Sequence, residues 1–162
     1  MLVTNTITMA IDRQQMSPVI DAVQGEKNSR SIKINLTNGG EPWIVPQDAS
    51  CVVHFGNSNK IGGAYDTLDD GTSAVEIGEN YIKFTLAKQV VSSPGDTFVQ
   101  VEIAKNNISL STFTVVVRVQ ADPSLGTIDS ADYFNFTEYI SREIEEQLKG
   151  LGNIPNANGV SF

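Results

Sequence analysis

The chain holds few side chains able to move protons or bind metals, and they are dispersed. His54 and Cys51 are the only residues of their kinds and lie together in SCVVHF. A single imidazole cannot build a multi-histidine metal site, and one flanked by Val53 and Phe55 reads as an ordinary strand residue. Cys51 excludes an intramolecular disulfide and, among apolar neighbours, reads as a small buried hydrophobe. Asp66, Asp69 and Asp70 concentrate carboxylates of the kind that ligate calcium. Their spacing, D-x-x-D-D-G, lacks the alternation of an EF-hand loop and reads as a solvated turn. A carboxylate pair hydrolyses glycosides, and Glu76, Glu79 and Glu102 are available. Glutamates alternating with apolar residues are usually the wet face of a strand. Trp43, with Tyr65 and Tyr81, offers aromatic faces for stacking a sugar ring, while Trp43 beside Pro42 also suits a plug at a sheet edge. No GxSxG, GxxxxGKS/T, CxxC or post-strand GxGxxG occurs. The chain is therefore read as a non-enzyme, with no catalytic residues, no metal ligands and no cofactor.

The elements that must position these residues are short. The 162 residues are 40% apolar and 19% charged, a composition that buries a core. A formal charge of −8 with only 11 Lys and Arg argues against nucleic acid and anionic membranes as partners. No apolar run approaches the ~18 residues that span a bilayer, and the amino terminus lacks a signal peptide's basic and apolar regions. Synthesis in the cytoplasm is the expectation.

Ile7, Met9 and Ile11 alternate with polar or small residues and predict a first strand, followed by a polar loop from Pro18 to Asn28. Ile32, Ile34 and Leu36 predict a second strand, ended by Asn38-Gly39-Gly40. Glu41 to Pro46 reads as an edge or crossing because of its two prolines. Ala49–Phe55 resumes a strand, and Gly56–Gly71 reads as one long loop. Ala74–Ile77 and Tyr81–Leu86 form a predicted hairpin, and Ala87–Val91 one helical turn. The best-patterned stretch is Thr97–Val119, a long hairpin turning at Lys105-Asn106-Asn107. Its second arm shifts its apolar residues from one face to both around Phe113, which predicts burial on both sides at the far end. Seven to eight strands without interleaved helices predict an all-β, antiparallel β-sandwich of immunoglobulin-like, Greek-key type.

The expected domain covers 1–121, a linker 122–129, an amphipathic helix 130–150 and a flexible tail 151–162. The helix face is Tyr133, Phe136, Ile140, Ile144 and Leu148. Asp129 or Ser130 caps its start, and Lys149 and Gly150 suit its end. A helix of about 20 residues is marginal alone, so this face must dock on the sandwich or on copies of itself.

Arg30-Ser31-Ile32-Lys33-Ile34-Asn35-Leu36, the Asp70-Gly71 loop, Tyr81–Leu86, and Ser93-Pro94-Gly95 leading into VQVEIAKNNISLSTFTVVV together resemble one family. It is the amino-terminal domain of BppU-type baseplate upper proteins of phages that infect Gram-positive bacteria. The similarity covers residues 4–120. It implies a virion structural protein, or a prophage-encoded equivalent, whose sandwich docks on other tail or baseplate proteins. It further implies a helix that forms a homotrimer and leads toward a receptor-binding part, and it transfers no catalytic residues. The alternative reading is a carbohydrate-binding β-sandwich module using Trp43, Tyr65 and the acidic loop.

Overall fold

Period-two alternation builds the best-buried strands. Ile32, Ile34 and Leu36 are fully buried while Lys33 and Asn35 between them are not, as a pleated strand with one wet face requires. The computed structural model describes residues 2–124. Eleven strands occur among them: β1 (Val3–Ala10), β2 (Val19–Val23), β3 (Arg30–Asn38), β4 (Glu41–Pro42), β5 (Ser50–Asn57), β6 (Gly62–Tyr65), β7 (Val75–Ile77), β8 (Tyr81–Thr85), β9 (Gly95–Lys105), β10 (Ile108–Ser111) and β11 (Val115–Gln120).

They pair into two mixed sheets. One has the order β1-β3-β8-β7 with β4 beside β3, and the other β2-β11-β9-β5-β6 with β10 beside β9. The described residues are all-β, but the expected antiparallel arrangement of seven to eight strands is corrected. β1 runs parallel to β3, and β2 parallel to β11. A parallel pair needs a connection of a dozen or more residues; residues 11–29 provide it, and they carry β2 through the other sheet on the way. The added strands are β2, β6 and the division of one expected arm into β10 and β11. β2 lies inside the segment read as loop, with Ile20 and Ala22 buried. β6 lies inside the long loop read over Gly56–Gly71 and pairs with β5. Residues Ala87–Val91 form one turn, closed by Val90 N–H to the Ala87 carbonyl at 3.0 Å.

The long hairpin also departs from the expectation. Asn106 takes the left-handed conformation at φ 57 in the two-residue turn, as asparagine tolerates. The second arm is broken by one extra residue: Ser111 lies opposite Glu102, but Val115 lies opposite Val99. That bulge reverses which residues face inward. Leu110 shares the inner face of Ile103 before it, and Val115, Val117 and Val119 line the core after it. Val116 and Arg118 stay on the outer face, so the far end is buried on one side only. Thr112 holds the break: Val101 N–H donates to its hydroxyl at 3.0 Å, and Thr112 N–H donates to the Val101 carbonyl at 2.9 Å.

Residues from both sheets share one core, including Ile34, Leu36, Ile82 and Phe84 from one and Val53, Val99, Val101 and Val117 from the other. Each such side chain contributes roughly 1.5–3 kcal/mol when fully buried. Glu26 ties the two layers at their margin. Its Oε1 accepts from Val23 N–H at the end of β2 (2.9 Å) and from Arg30 Nε at the start of β3 (2.7 Å). The Arg30 guanidinium holds the Glu26 carboxyl below its ordinary range. One compact unit runs Met1–Ala121. Past it, Asp122 accepts from Ser124 N–H and hydroxyl at 2.8 and 2.7 Å. The helix expected over 130–150, with Tyr133, Phe136, Ile140, Ile144 and Leu148, and the tail over 151–162 lie outside the described residues.

Candidate functional site: an apolar cleft at the hairpin end

The inner face of the β9–β10 hairpin outruns the core. Lys105 and Ile108 are register partners, one strand step beyond the inner-face pair Ile103 and Leu110, and Ile108 is 76% exposed. The segment after β4 comes alongside. Trp43 N–H donates to the Leu36 carbonyl at 2.9 Å, Val45 N–H to the Glu79 carbonyl at 2.8 Å, and Ala49 N–H to the Pro46 carbonyl at 3.2 Å. These bonds hold the two-proline segment against β3 and the β7–β8 turn, so it crosses the end of the sandwich as an ordered strap. Val45 is buried and Trp43 is half-buried against the core.

Between strap and hairpin lies a cleft of about 320 Å³ lined by Trp43, Pro46, Ile103, Lys105, Ile108 and Leu110. Across the strap a more open cleft of about 710 Å³ is lined by Ile44, Val45, Asp48, Ile77 and Glu79 among others. Ile44 is 56% and Ile77 39% exposed. The cleft on the Trp43 side of Pro46 is thus mainly apolar with Lys105 at its rim, while the one across the strap mixes Ile44 and Ile77 with Gln47, Asp48 and Glu79. Such a surface suits burial against another macromolecule, since its backbone is already pinned and little ordering remains to be done on binding.

The other residues singled out in the sequence are not brought together. Tyr65 is corrected as a surface aromatic. It is buried, its hydroxyl donates to the Thr85 carbonyl at 2.7 Å and accepts from Ala87 N–H at 3.2 Å, and its ring meets Phe55 edge-on at 6.0 Å. Burial pushes its phenol up to about 12. Tyr81 is half-buried: its hydroxyl donates to Glu76 at 2.8 Å and Lys33 Nζ lies 4.3 Å from its ring centroid. Cys51 is buried, and desolvation pushes its thiol up to about 11, away from reactivity.

The loop carboxylates take separate partners. Asp69 meets Lys27 and Asn28, each at 3.2 Å, Asp70 caps Thr72, and Asp66 accepts from Thr67. Among the described residues no three His, Cys, Asp or Glu side chains are grouped to hold a metal ion. His54, Glu102 and Ser109 form a line on the outer face: His54 Nε2 is 2.9 Å from Glu102 Oε1, and Ser109 Oγ donates to Glu102 Oε2 at 2.6 Å. The carboxylate sits in the middle, so the imidazole does not reach the serine as the base of a nucleophilic triad must.

Trp43 lies just past the short strand β4 and packs partly against the core, and sequence reasoning missed its neighbours Ile108 and Leu110. The available signal was Ile108 directly after the Asn-Asn turn, where an inward side chain has passed the end of the core. Also missed was Phe98, 49% exposed on the outer face opposite Gly56 and Val116. No protein-family model matches the chain, and no curated protein matches it.

Proposed function

We propose that this sandwich is a structural attachment module of a phage tail baseplate, or of a prophage-encoded equivalent, working through buried area and not through bond-making. The observation that carries the reading is the pinned apolar surface around Trp43, Ile44 and Ile108 at the hairpin end. It is built partly by the β9–β10 hairpin, whose sequence carries much of the resemblance to baseplate upper proteins. The strand orders β1-β3-β8-β7 and β2-β11-β9-β5-β6 support an immunoglobulin-like, Greek-key reading of the fold, in which the parallel β1–β3 pair is a departure. In this reading the helix over 130–150 is a trimerising spacer toward a receptor-binding part, and the chain resides in the virion with other tail proteins as partners.

Immunogold labelling of purified tail particles from the source phage or prophage tests the reading. Label at the tail tip supports it, and particles devoid of the chain would overturn it. The carbohydrate-binding alternative loses support because its second aromatic, Tyr65, is buried. Sugar binding on a glycan array that disappears in Trp43→Ala would restore that alternative.

A further inference from the structure

Sheet edges differ sharply in how they are defended. An unpaired edge is a template for another strand, and natural sheets blunt it with short length, charge, proline, glycine or bulges. β7 has three residues including Glu76, β4 is only Glu41–Pro42, and β6 starts with Gly62-Gly63. β2 follows Pro18 and contains Asp21, and β10 has four residues before the bulge at Thr112. β1 has none of these devices. It runs eight residues, VTNTITMA, with no charge, proline or glycine, and keeps unbroken register with β3 from Val3 to Ala10.

The orientation of its backbone is fixed. Val3 N–H donates to the Ser29 carbonyl at 2.9 Å and Ile11 N–H to the Thr37 carbonyl at 2.8 Å. Odd-numbered residues therefore bond toward β3, and strand alternation turns the N–H and C=O of Thr4, Thr6 and Thr8 to the edge that no other described strand pairs, with residues 15–18 beside its Thr8 end. The side chains of these three threonines are exposed on the outer face.

We propose that β1 is a homotypic docking edge, at which a second copy of this chain pairs antiparallel about Thr6. In that register Thr6 faces Thr6 of the second copy and Thr4 faces Thr8, so the outward backbone groups of all three meet as hydrogen-bonded pairs. Threonine opposite threonine is a favourable cross-strand pair. Because β1 is uncharged, no like charges oppose each other along the join despite a net charge of −8 per chain. The cation beside Thr6 on β3 is Lys33. The two copies of Lys33 would stand three strand spacings apart, about 14 Å, beyond the ~8 Å screening length at physiological salt. This pairing is separate from the Trp43 surface and does not depend on the baseplate reading.

Sedimentation of the full chain tests it. The mass of the wild-type species is expected to halve in Thr6→Lys and also in Thr6→Glu, each of which places like charges directly opposite. An equimolar mixture of the two variants is expected to recover the wild-type mass, because Lys then faces Glu. A monomeric wild type, an unchanged mass in Thr6→Lys, or no recovery on mixing would each overturn the proposal.

Discussion

The two halves of β9 have the same neighbour on one side and opposite fates on the other. Along Gly95–Val99 the strand meets β11, and Thr97, Val99, Val115 and Val117 are all but inaccessible. Along Glu102–Lys105 it meets β10, and the same inner face runs out past the core to an exposed Ile108. Between them stands a single extra residue and the Thr112 hydroxyl. The difference shows that one strand edge can build both a core and an exposed apolar end when a bulge lets each half keep its own register.

The same substitution in each half is the strongest way to break the comparison. Val117→Asp buries an unpaired carboxylate among core valines and is expected to abolish cooperative thermal unfolding, an effect above ~4 kcal/mol. Thr112→Val is next in size. It leaves the buried Val101 N–H without its acceptor and is expected to cost about 1–3 kcal/mol in urea titrations. Thr97→Val serves as its counterpart, since the Thr97 hydroxyl is buried with no hydrogen-bond partner among the described residues, and neutral or slightly raised stability is expected. Ile108→Asp, exposed, is expected to change stability by no more than ~0.5 kcal/mol and, on the baseplate proposal, to abolish attachment to tail particles in a binding assay.

The smallest effect is one of pH. Hydrogen bonds from Ser109 and then His54 hold the Glu102 carboxyl below its ordinary value of 4.5. A carboxyl lowered in the folded state stabilises it above the ordinary value, and that contribution fades as pH falls through the lowered one. Amide protection in β10 is therefore expected to decline on acidification before that in β11, as hydrogen exchange corrected for intrinsic rates would show. Glu102→Gln is expected to remove this pH dependence; equal loss in both strands would argue against independent halves.

Much of this architecture was legible where alternation was regular. β3, β5, β8 and the two arms of the hairpin all follow from period-two patterns, and the Asn-Asn turn and the Trp43 edge from local chemistry. The bulge was not, although its trace was present: the apolar set changes parity near Phe113, which reads equally as burial on both faces. Pairing direction was also hidden, because alternation specifies a strand's faces and not the sense of its neighbour. β2 escaped because five residues with Asp21 at their centre, next to Pro18, look like loop until β11 is known to lie beside them. Tyr65 was misplaced because its four-residue strand is glycine-rich, so nothing local marks which way the ring points. The Trp43 cleft needed tertiary information outright, since Trp43 and Ile108 come from distant segments.

The parallel pairing of β2 with β11 has a consequence in time. Val19 and Val116, about a hundred residues apart, must meet to complete their sheet. At ribosomal rates of roughly 5–20 residues per second, β2 waits on the order of 5–20 s for its partner to be synthesised. Contacts so distant in sequence also slow the search once the chain is free. A nascent chain interrupted before β11 would leave β2 without its partner and keep the Gly95–Val99 half of the β9 edge open to any passing strand.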